Sequence, residues 1–419
     1  MATWHDFSDV LKSLQFDDAP AGGSLVIFKD NQVVVNTSVG QALPNVVWDE
    51  HTLSVNFSIG KGVMATLIAA LVSKGLLSYD KPIAHVWGQF AVNGKQDITL
   101  RHILTHTANL FNIADVTNDP QVLLNWQLMG EKIANMTPSA PKPKDNHHYA
   151  SAYSALVSGW ILGHVVEKVT QLTLQAALDT FLAEPLGIKG ELYFGVPSDK
   201  LDQVAKPVYY FDKNADTAVR RKPTLKPDTK AISDVLNHLP ISYLWQDALG
   251  DTPLSTASIN KLYFDTSKMN LMNYKNALMP NGRDGVSYHS QEVMQACIPA
   301  ANGVSTANAL ATIYAMHANG GVWQNQTIIS AKVLDDLRRV QVDGLDAVMP
   351  ANMKWRTGFH RLFSIHNVPN AYGHMGYNGS VAFCDPDSKL AFAFIHNFDT
   401  VMLNDVRQFA LSEMAIALA

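Results

Sequence analysis

Residues 48–110 read WDEHTLSVNFSIGKGVMATLIAALVSKGLLSYDKPIAHVWGQFAVNGKQDITLRHILTHTANL. Within this stretch, Gly62 to Leu71 is apolar on nearly every side and stops at Ser73, Lys74 and Gly75, the pattern of a buried helix closed by a glycine cap. The helix is predicted to begin at Ser58 or just before it. Ser58 and Lys61 then stand three apart in the first turn, where their side chains share a face. A serine hydroxyl attacks a carbonyl only when a base takes its proton, and a lysine is such a base only when burial or neighbouring cations lower its pKa. The helix N-terminus adds N–H groups and a positive end, which favour an oxyanion on the substrate carbonyl.

The spacing alone is weak, because Ser78 to Lys81, Ser139 to Lys142 and Ser258 to Lys261 repeat it. Context separates the four. Ser78 precedes Lys81-Pro82 in a turn, Ser139 has Pro141 inside the motif, and Ser258 lies in a polar segment; only Ser58 opens a long buried helix.

Working outward, GGSLVIFKDNQVVVNTSVG reads as a hairpin around the turn signal at Lys29 to Gln32, after an opening helical stretch. Near the other end, VAFCDPDSKLAFAFIHN places two apolar runs either side of Asp385 to Ser388, and an amphipathic helix from about Leu403 to Leu418 closes the chain. From about Pro82 to Pro299 the pattern is helical and irregular, with no internal repeat. These readings predict an α/β fold: an antiparallel sheet formed by the N- and C-terminal segments and flanked by helices, with an inserted, mostly α-helical domain. The sheet domain is expected over 1–85 and 296–419, the insert over 86–295, with a cleft between them. The polar run from Arg220 to Lys230 reads as a solvated loop.

At 419 residues, 47% hydrophobic and 16% charged, the chain can bury a large core. Its net charge of -5 supplies no basic footprint for nucleic acid. Cys297 and Cys384 are too few for a disulfide framework and read as ordinary core thiols. The N-terminus lacks the basic start and apolar stretch of a secretory signal, and the longest apolar segment, around Val63 to Val72, is short of the roughly 20 residues that cross a bilayer. A cytoplasmic protein without a membrane partner is expected. His147 and His148 are adjacent and point apart, and no HExxH pattern occurs, so no metal and no cofactor are expected. No Gly-x-Ser-x-Gly elbow of an α/β-hydrolase occurs either.

The 48–110 stretch resembles the region around the nucleophile in family VIII carboxylesterases and class C β-lactamase-like proteins, members of the penicillin-recognising superfamily. The Trp48-Asp49-Glu50 start, the Tyr79-Asp80-Lys81-Pro82 turn and the Thr99 to His106 helix start fit the esterase branch. The family's second motif is a tyrosine just before a helix, and HHYASAYSALVSGWILGHVVEKVTQ offers Tyr149 and Tyr153. Counting back from Gly159-Trp160-Ile161-Leu162-Gly163, which is similar to the helix following that motif, the register falls on Tyr153. Its phenol could share or relay the serine proton beside the Lys61 ammonium. Near the C-terminus, YGHMGYNGSVAFCDPDSKLAFAFIHN resembles the third motif, with His374, Met375 and Gly376 in its places. The resemblance implies that Gly376 admits a substrate backbone and that the N–H of Tyr377, with that of Ser58, is an oxyanion donor. Ile298 to Gly321 resembles the helix behind that strand.

Two positions depart from the family pattern. Ala155 stands where many β-lactamases carry an asparagine that helps hold an amide-bearing substrate, which puts lactam hydrolysis in doubt and leaves ester hydrolysis intact. Asn109 stands where glycine is usual, and asparagine is the next best residue for a left-handed turn. The resemblance therefore implies a serine hydrolase acting through an acyl-enzyme, with Ser58 as nucleophile, Lys61 and Tyr153 moving the proton, and small carboxylic esters as substrates. A β-lactamase or D-amino-acid peptidase of the same fold, acting on an amide, is the nearest alternative. A non-catalytic binding or assembly module is the alternative from another class.

Overall fold

Two consecutive residues with left-handed backbone, Asp30 (φ 51°) and Asn31 (φ 64°), turn the chain between strands β1 (Gly23–Lys29) and β2 (Gln32–Val39). Asparagine and aspartate tolerate that conformation, and a two-residue turn built from it matches the twist of a hairpin. The computed structural model describes residues 2–16, 20–211, 228–279 and 286–419; the predicted polar loop Arg220–Lys230 lies, up to residue 227, outside them. After the hairpin, β3 (Leu53–Phe57) leads directly into helix α1 (Ile59–Ser73), for which Ser58 is the N-cap residue. Helix α2 (Val157–Thr170) follows in the middle of the chain, then β4 (Gly303–Ser305) and helix α3 (Ala307–Ala318). Strands β5 (His360–Arg361), β6 (Tyr372–Met375), β7 (Val381–Asp385) and β8 (Leu390–His396) and helix α4 (Arg407–Leu418) complete it.

The main sheet has six strands in the order β5-β6-β7-β8-β1-β2, every neighbouring pair antiparallel. β1 and β8 pair inside it, from Gly23 with His396 to Lys29 with Leu390, so the N- and C-terminal segments share one sheet. Both of these interior strands are buried on both faces, which is why they read as continuous apolar runs. Alternation still divides them: Val26, Ala391, Ala393 and Ile395 enter one core with α1 and α3, while Leu25, Ile27, Phe392 and Phe394 enter another with α4 and the N-terminal helix Phe7–Ser13. α3 lies across β8, β7 and β1.

α1 carries the most buried surface near the site. Ile59 through Leu71 are all buried, so its apolar character on every side has a partner on every side. Val63, Leu67, Ile68 and Leu71 are each sealed from solvent, and each contributes about 1.5–3 kcal/mol by burial. A second, four-stranded sheet places β3 between β4, with which it is antiparallel, and the short strand Val204–Ala205. That sheet fixes the end of β3 from which Ser58 emerges. Between α1 and β4 the elements are mainly short helices. No helix among the described residues is long and apolar enough to cross a membrane.

Candidate active site

The strand-to-helix junction puts unusual backbone next to Ser58. Phe57 has φ 50°, a conformation that costs a bulky residue about 1–3 kcal/mol. Buried aromatic contacts with Tyr288 and His289 hold it there, their ring centroids 5.6 and 5.9 Å away. Ser58 is half-buried, while Lys61 and Tyr153 behind it are buried. Ser58 is thus the most exposed of the three.

Lys61 Nζ lies 3.0 Å from Ser58 Oγ and donates to the carbonyl oxygens of Ala155 at 2.7 Å and Ala300 at 2.6 Å. Burial without a carboxylate beside it holds the Lys61 pKa well below its usual value. The Tyr153 hydroxyl donates to Ser58 Oγ at 2.9 Å, and burial raises the phenol pKa above its ordinary value. Ser58, Lys61 and Tyr153 therefore meet within hydrogen-bonding reach. Tyr149, the other tyrosine of the motif region, packs at the edge of the second core with its buried hydroxyl unpartnered. The other Ser-x-x-Lys pairs serve local structure instead. Ser258 forms a helix capping box with Ser255, Ser78 accepts from the Asp80 N–H, and Ser139 reaches Asp115.

Behind Tyr153 is a carboxylate that the sequence reading did not single out. Asp346 is buried and collects five donors: the Ser151 hydroxyl at 2.6 Å, the Trp355 indole at 3.1 Å, and the N–H groups of Tyr153 (3.3 Å), Val348 (2.8 Å) and Met349 (2.9 Å). The Trp355 ring stacks on that of Tyr153 at 5.5 Å and 14°. One carboxylate thus sets both the backbone and one ring face of Tyr153, and its charge adds to the burial that keeps the phenol protonated. Nothing in the local pattern around residue 346 signals this role, because Ser151 and Tyr153, which tie it to the site, lie 195 and 193 residues back along the chain.

His374 also belongs to this wall. Its ring lies 6.4 Å from that of Tyr153 and 4.8 Å from that of His360, and its Nε2 is buried with no hydrogen-bond partner. It is therefore beside the Ser58 group, with no hydrogen bond to any of the three. At Gly376 a Cβ would stand 2.8 Å from the carbonyl oxygen of Asn56, so the glycine lets the end of β6 press against the end of β3. Tyr377 packs its ring 6.0 Å from that of Phe57, which places its backbone beside the same junction. Asn109 has φ 54°, the left-handed turn its identity predicts. Among the described residues no cluster of three or more His, Cys, Asp or Glu is placed to hold a metal, and Cys297 and Cys384 are free thiols.

Two predictions arise here. Gly159 of α2 faces Ala300, and a Cβ on it would stand 2.5 Å from the Ala300 nitrogen, a backbone atom that cannot swing aside. Gly159→Ala is expected to cut turnover by about 10- to 100-fold by displacing the Ala300 carbonyl from Lys61, although alanine is the better helix former. Steady-state kinetics beside a melting curve checks it; unchanged kcat would count against the contact. The second concerns pH. Burial lowers the pKa of His106, His374 and His396, that of His360 to about 4, and that of His317 to about 3. Between 6.5 and these values the unfolded chain binds protons the folded one refuses, so stability falls as pH falls, at about 1.4 kcal/mol per pH unit for each such histidine. The melting temperature is expected to drop steeply between pH 6.5 and 4, and a flat profile there would contradict the burial.

Known proteins share this architecture. The family model described as Beta-lactamase matches residues 7–411. The chain is 30% identical over 381 residues to Esterase/beta-lactamase LipL of Mycobacterium tuberculosis (strain ATCC 25618 / H37Rv), covering 90% of this chain and 77% of that protein. A penicillin-binding protein homologue from Caulobacter crescentus superimposes with a TM-score of 0.74 at 27% identity, covering 99% of this chain and 97% of the other. A family VIII carboxylesterase superimposes with a TM-score of 0.73 at 24% identity, with the same coverage, a likeness of fold. A match over nearly the whole chain, on a sheet closed by both chain ends and a serine–lysine pair opening a buried helix, places this protein in the beta-lactamase family of hydrolases.

Proposed function

We propose that the protein is a serine esterase that hydrolyses small carboxylic esters through an acyl-enzyme formed on Ser58. The observation that carries this reading is the three-way contact at Ser58 Oγ, which receives one hydrogen bond from a phenol and lies 3.0 Å from a lysine nitrogen whose charge is disfavoured by burial. One proton arrangement readies the group for attack. A neutral Lys61 gives its two N–H bonds to the carbonyls of Ala155 and Ala300 and turns its lone pair to the Ser58 proton, while Tyr153 donates to the serine oxygen. Lys61 is then the base for attack and Tyr153 the donor that holds and later reprotonates oxygen.

In the first step Ser58 Oγ bonds to the ester carbonyl carbon and its proton passes to Lys61. The carbonyl oxygen, negative at that moment, is stabilised by the N–H of Ser58 and that of Tyr377. Collapse breaks the bond to the alcohol oxygen, which leaves with a proton delivered from Lys61 through Tyr153. Water then attacks the acyl carbon and gives its proton to the same base; the bond from that carbon to Ser58 Oγ breaks, and Oγ takes the proton back as the acid leaves. His374 lines the site and helps shape it around the acyl group. Esters are favoured over lactams because Ala155 offers no side-chain amide to an amide-bearing substrate. An alkoxide also leaves more easily than an amine.

The test is rapid mixing with nitrophenyl esters of two to eight carbons. A burst of nitrophenol approaching one equivalent, followed by slower turnover and absent from Ser58→Ala, is the expected result. Turnover retained by Ser58→Ala would sink the assignment, and no turnover of any chain length would favour a binding module.

A further inference from the structure

Away from Ser58, five cationic side chains converge on a cavity of about 560 Å³: Arg338, Arg339, Lys354, Arg356 and Arg361, with Asp387 the one carboxylate in its lining. That concentration of positive charge stands on a chain whose net charge is -5. Asp387 is engaged with Asn370, accepting from its side-chain amide at 2.8 Å. Arg338 and Arg339 pair with Asp335 and Asp336, neither of which lines the cavity.

The two inner guanidinium groups have no such partner. Arg356 is 1% exposed and donates to the carbonyl oxygens of Arg338 at 2.8 Å and Pro369 at 2.6 Å, and among the described residues it forms no ion pair. Arg361 likewise forms none among them, the Asp343 carboxylate acting on it only from beyond ion-pair distance, and its Nε is buried without a hydrogen-bond acceptor. Burial depresses the pKa of both. Burying a cation without an anion is costly, and leaving a donor unmet adds to that cost. Two guanidinium groups without a paired carboxylate on one cavity wall favour an anion in that cavity. The forked N–H geometry of arginine matches phosphate oxygens in pairs, and the volume suits a small molecule.

We propose that this cavity is a binding site for a small phosphate-bearing molecule, separate from the Ser58 site and independent of its chemistry. Two of its lining segments also carry active-site neighbours. Trp355, between Lys354 and Arg356 in the chain, stacks on Tyr153, and Arg361 follows His360 in β5.

Isothermal titration calorimetry of the full chain with pyrophosphate, citrate and sulfate at matched ionic strength tests the proposal. Pyrophosphate is expected to bind one to one with a Kd of about 1 mM or tighter, and citrate and sulfate about tenfold more weakly. The double variant Lys354→Gln/Arg361→Gln, with wild-type circular dichroism, is expected to weaken pyrophosphate by about tenfold or more. Should that variant not fold, Lys354→Gln alone is expected to weaken it by about threefold. Absence of binding to about 10 mM, citrate binding as tightly as pyrophosphate, or affinity unchanged in the folded variant would each overturn the proposal.

Discussion

Lys61→Met is expected to lower ester kcat/KM by about 10⁴-fold, the upper range for loss of a general base and more than its hydrogen bonds alone would explain. Methionine fills the buried space of the lysine stem but offers the Ser58 proton no acceptor. The carbonyls of Ala155 and Ala300 lose a donor, so a modest loss of stability accompanies it. Lys61→Arg sharpens the prediction: a guanidinium restores the positive charge and the donors, yet stays protonated at every working pH. If Lys61 acted as a fixed cation, arginine would rescue; on the neutral-base account it does not. Kinetics on both variants decides, and arginine retaining a tenth of wild-type activity would be incompatible with that account. The same reasoning sets the acidic limb of the wild-type pH profile. Because burial favours the neutral amine, activity is expected to rise to its plateau well below pH 10.5.

Asp346→Ala is expected to destabilise the fold by about 3–5 kcal/mol, the range for breaking a buried charged network. It strands the Ser151 hydroxyl proton and three backbone N–H groups together, and leaves the Trp355 indole only the Ser151 oxygen as acceptor. Asp346→Asn is the informative companion. An amide keeps an acceptor for the backbone N–H groups but sets a donor against the indole, releasing the Trp355 ring from its stack on Tyr153. We expect kcat to fall by about 10²-fold with KM little changed, since misplacing the phenol affects reaction geometry more than binding. Removing the charge should also move the alkaline limb of the pH profile downward, as one of the influences that keep Tyr153 protonated is gone. A purely structural role would lower the melting temperature and leave that limb in place.

How much of this was legible beforehand depends on how local the cause is. Ser58 and Lys61 sit on one helical turn, and the all-round apolar character of the helix after them is a short-range pattern with one meaning. Asp30 and Asn31 announce a hairpin by their own backbone preference, and the turn at Asp385 to Ser388 separates β7 from β8 as its composition implies. Tyr153 was reachable only through the register of α2, because tyrosine before a helix has no meaning of its own. Asp346 and Trp355 were invisible: neither lies in a regular element, and their significance comes from Ser151 and Tyr153, far away in the chain. That Gly376 also makes room for the carbonyl of Asn56 is visible only in the packing of β3 against β6. Ser258, in a segment that reads as polar, stands in the first turn of the helix Thr256–Tyr263, where its capping box with Ser255 accounts for it.

The most direct test of the central claim is peptide mapping by mass spectrometry after reaction with a fluorophosphonate. The account predicts a single adduct on Ser58, formed at a rate that collapses in Lys61→Met. A label on any other serine, or an unlabelled protein that still turns over esters, would contradict it.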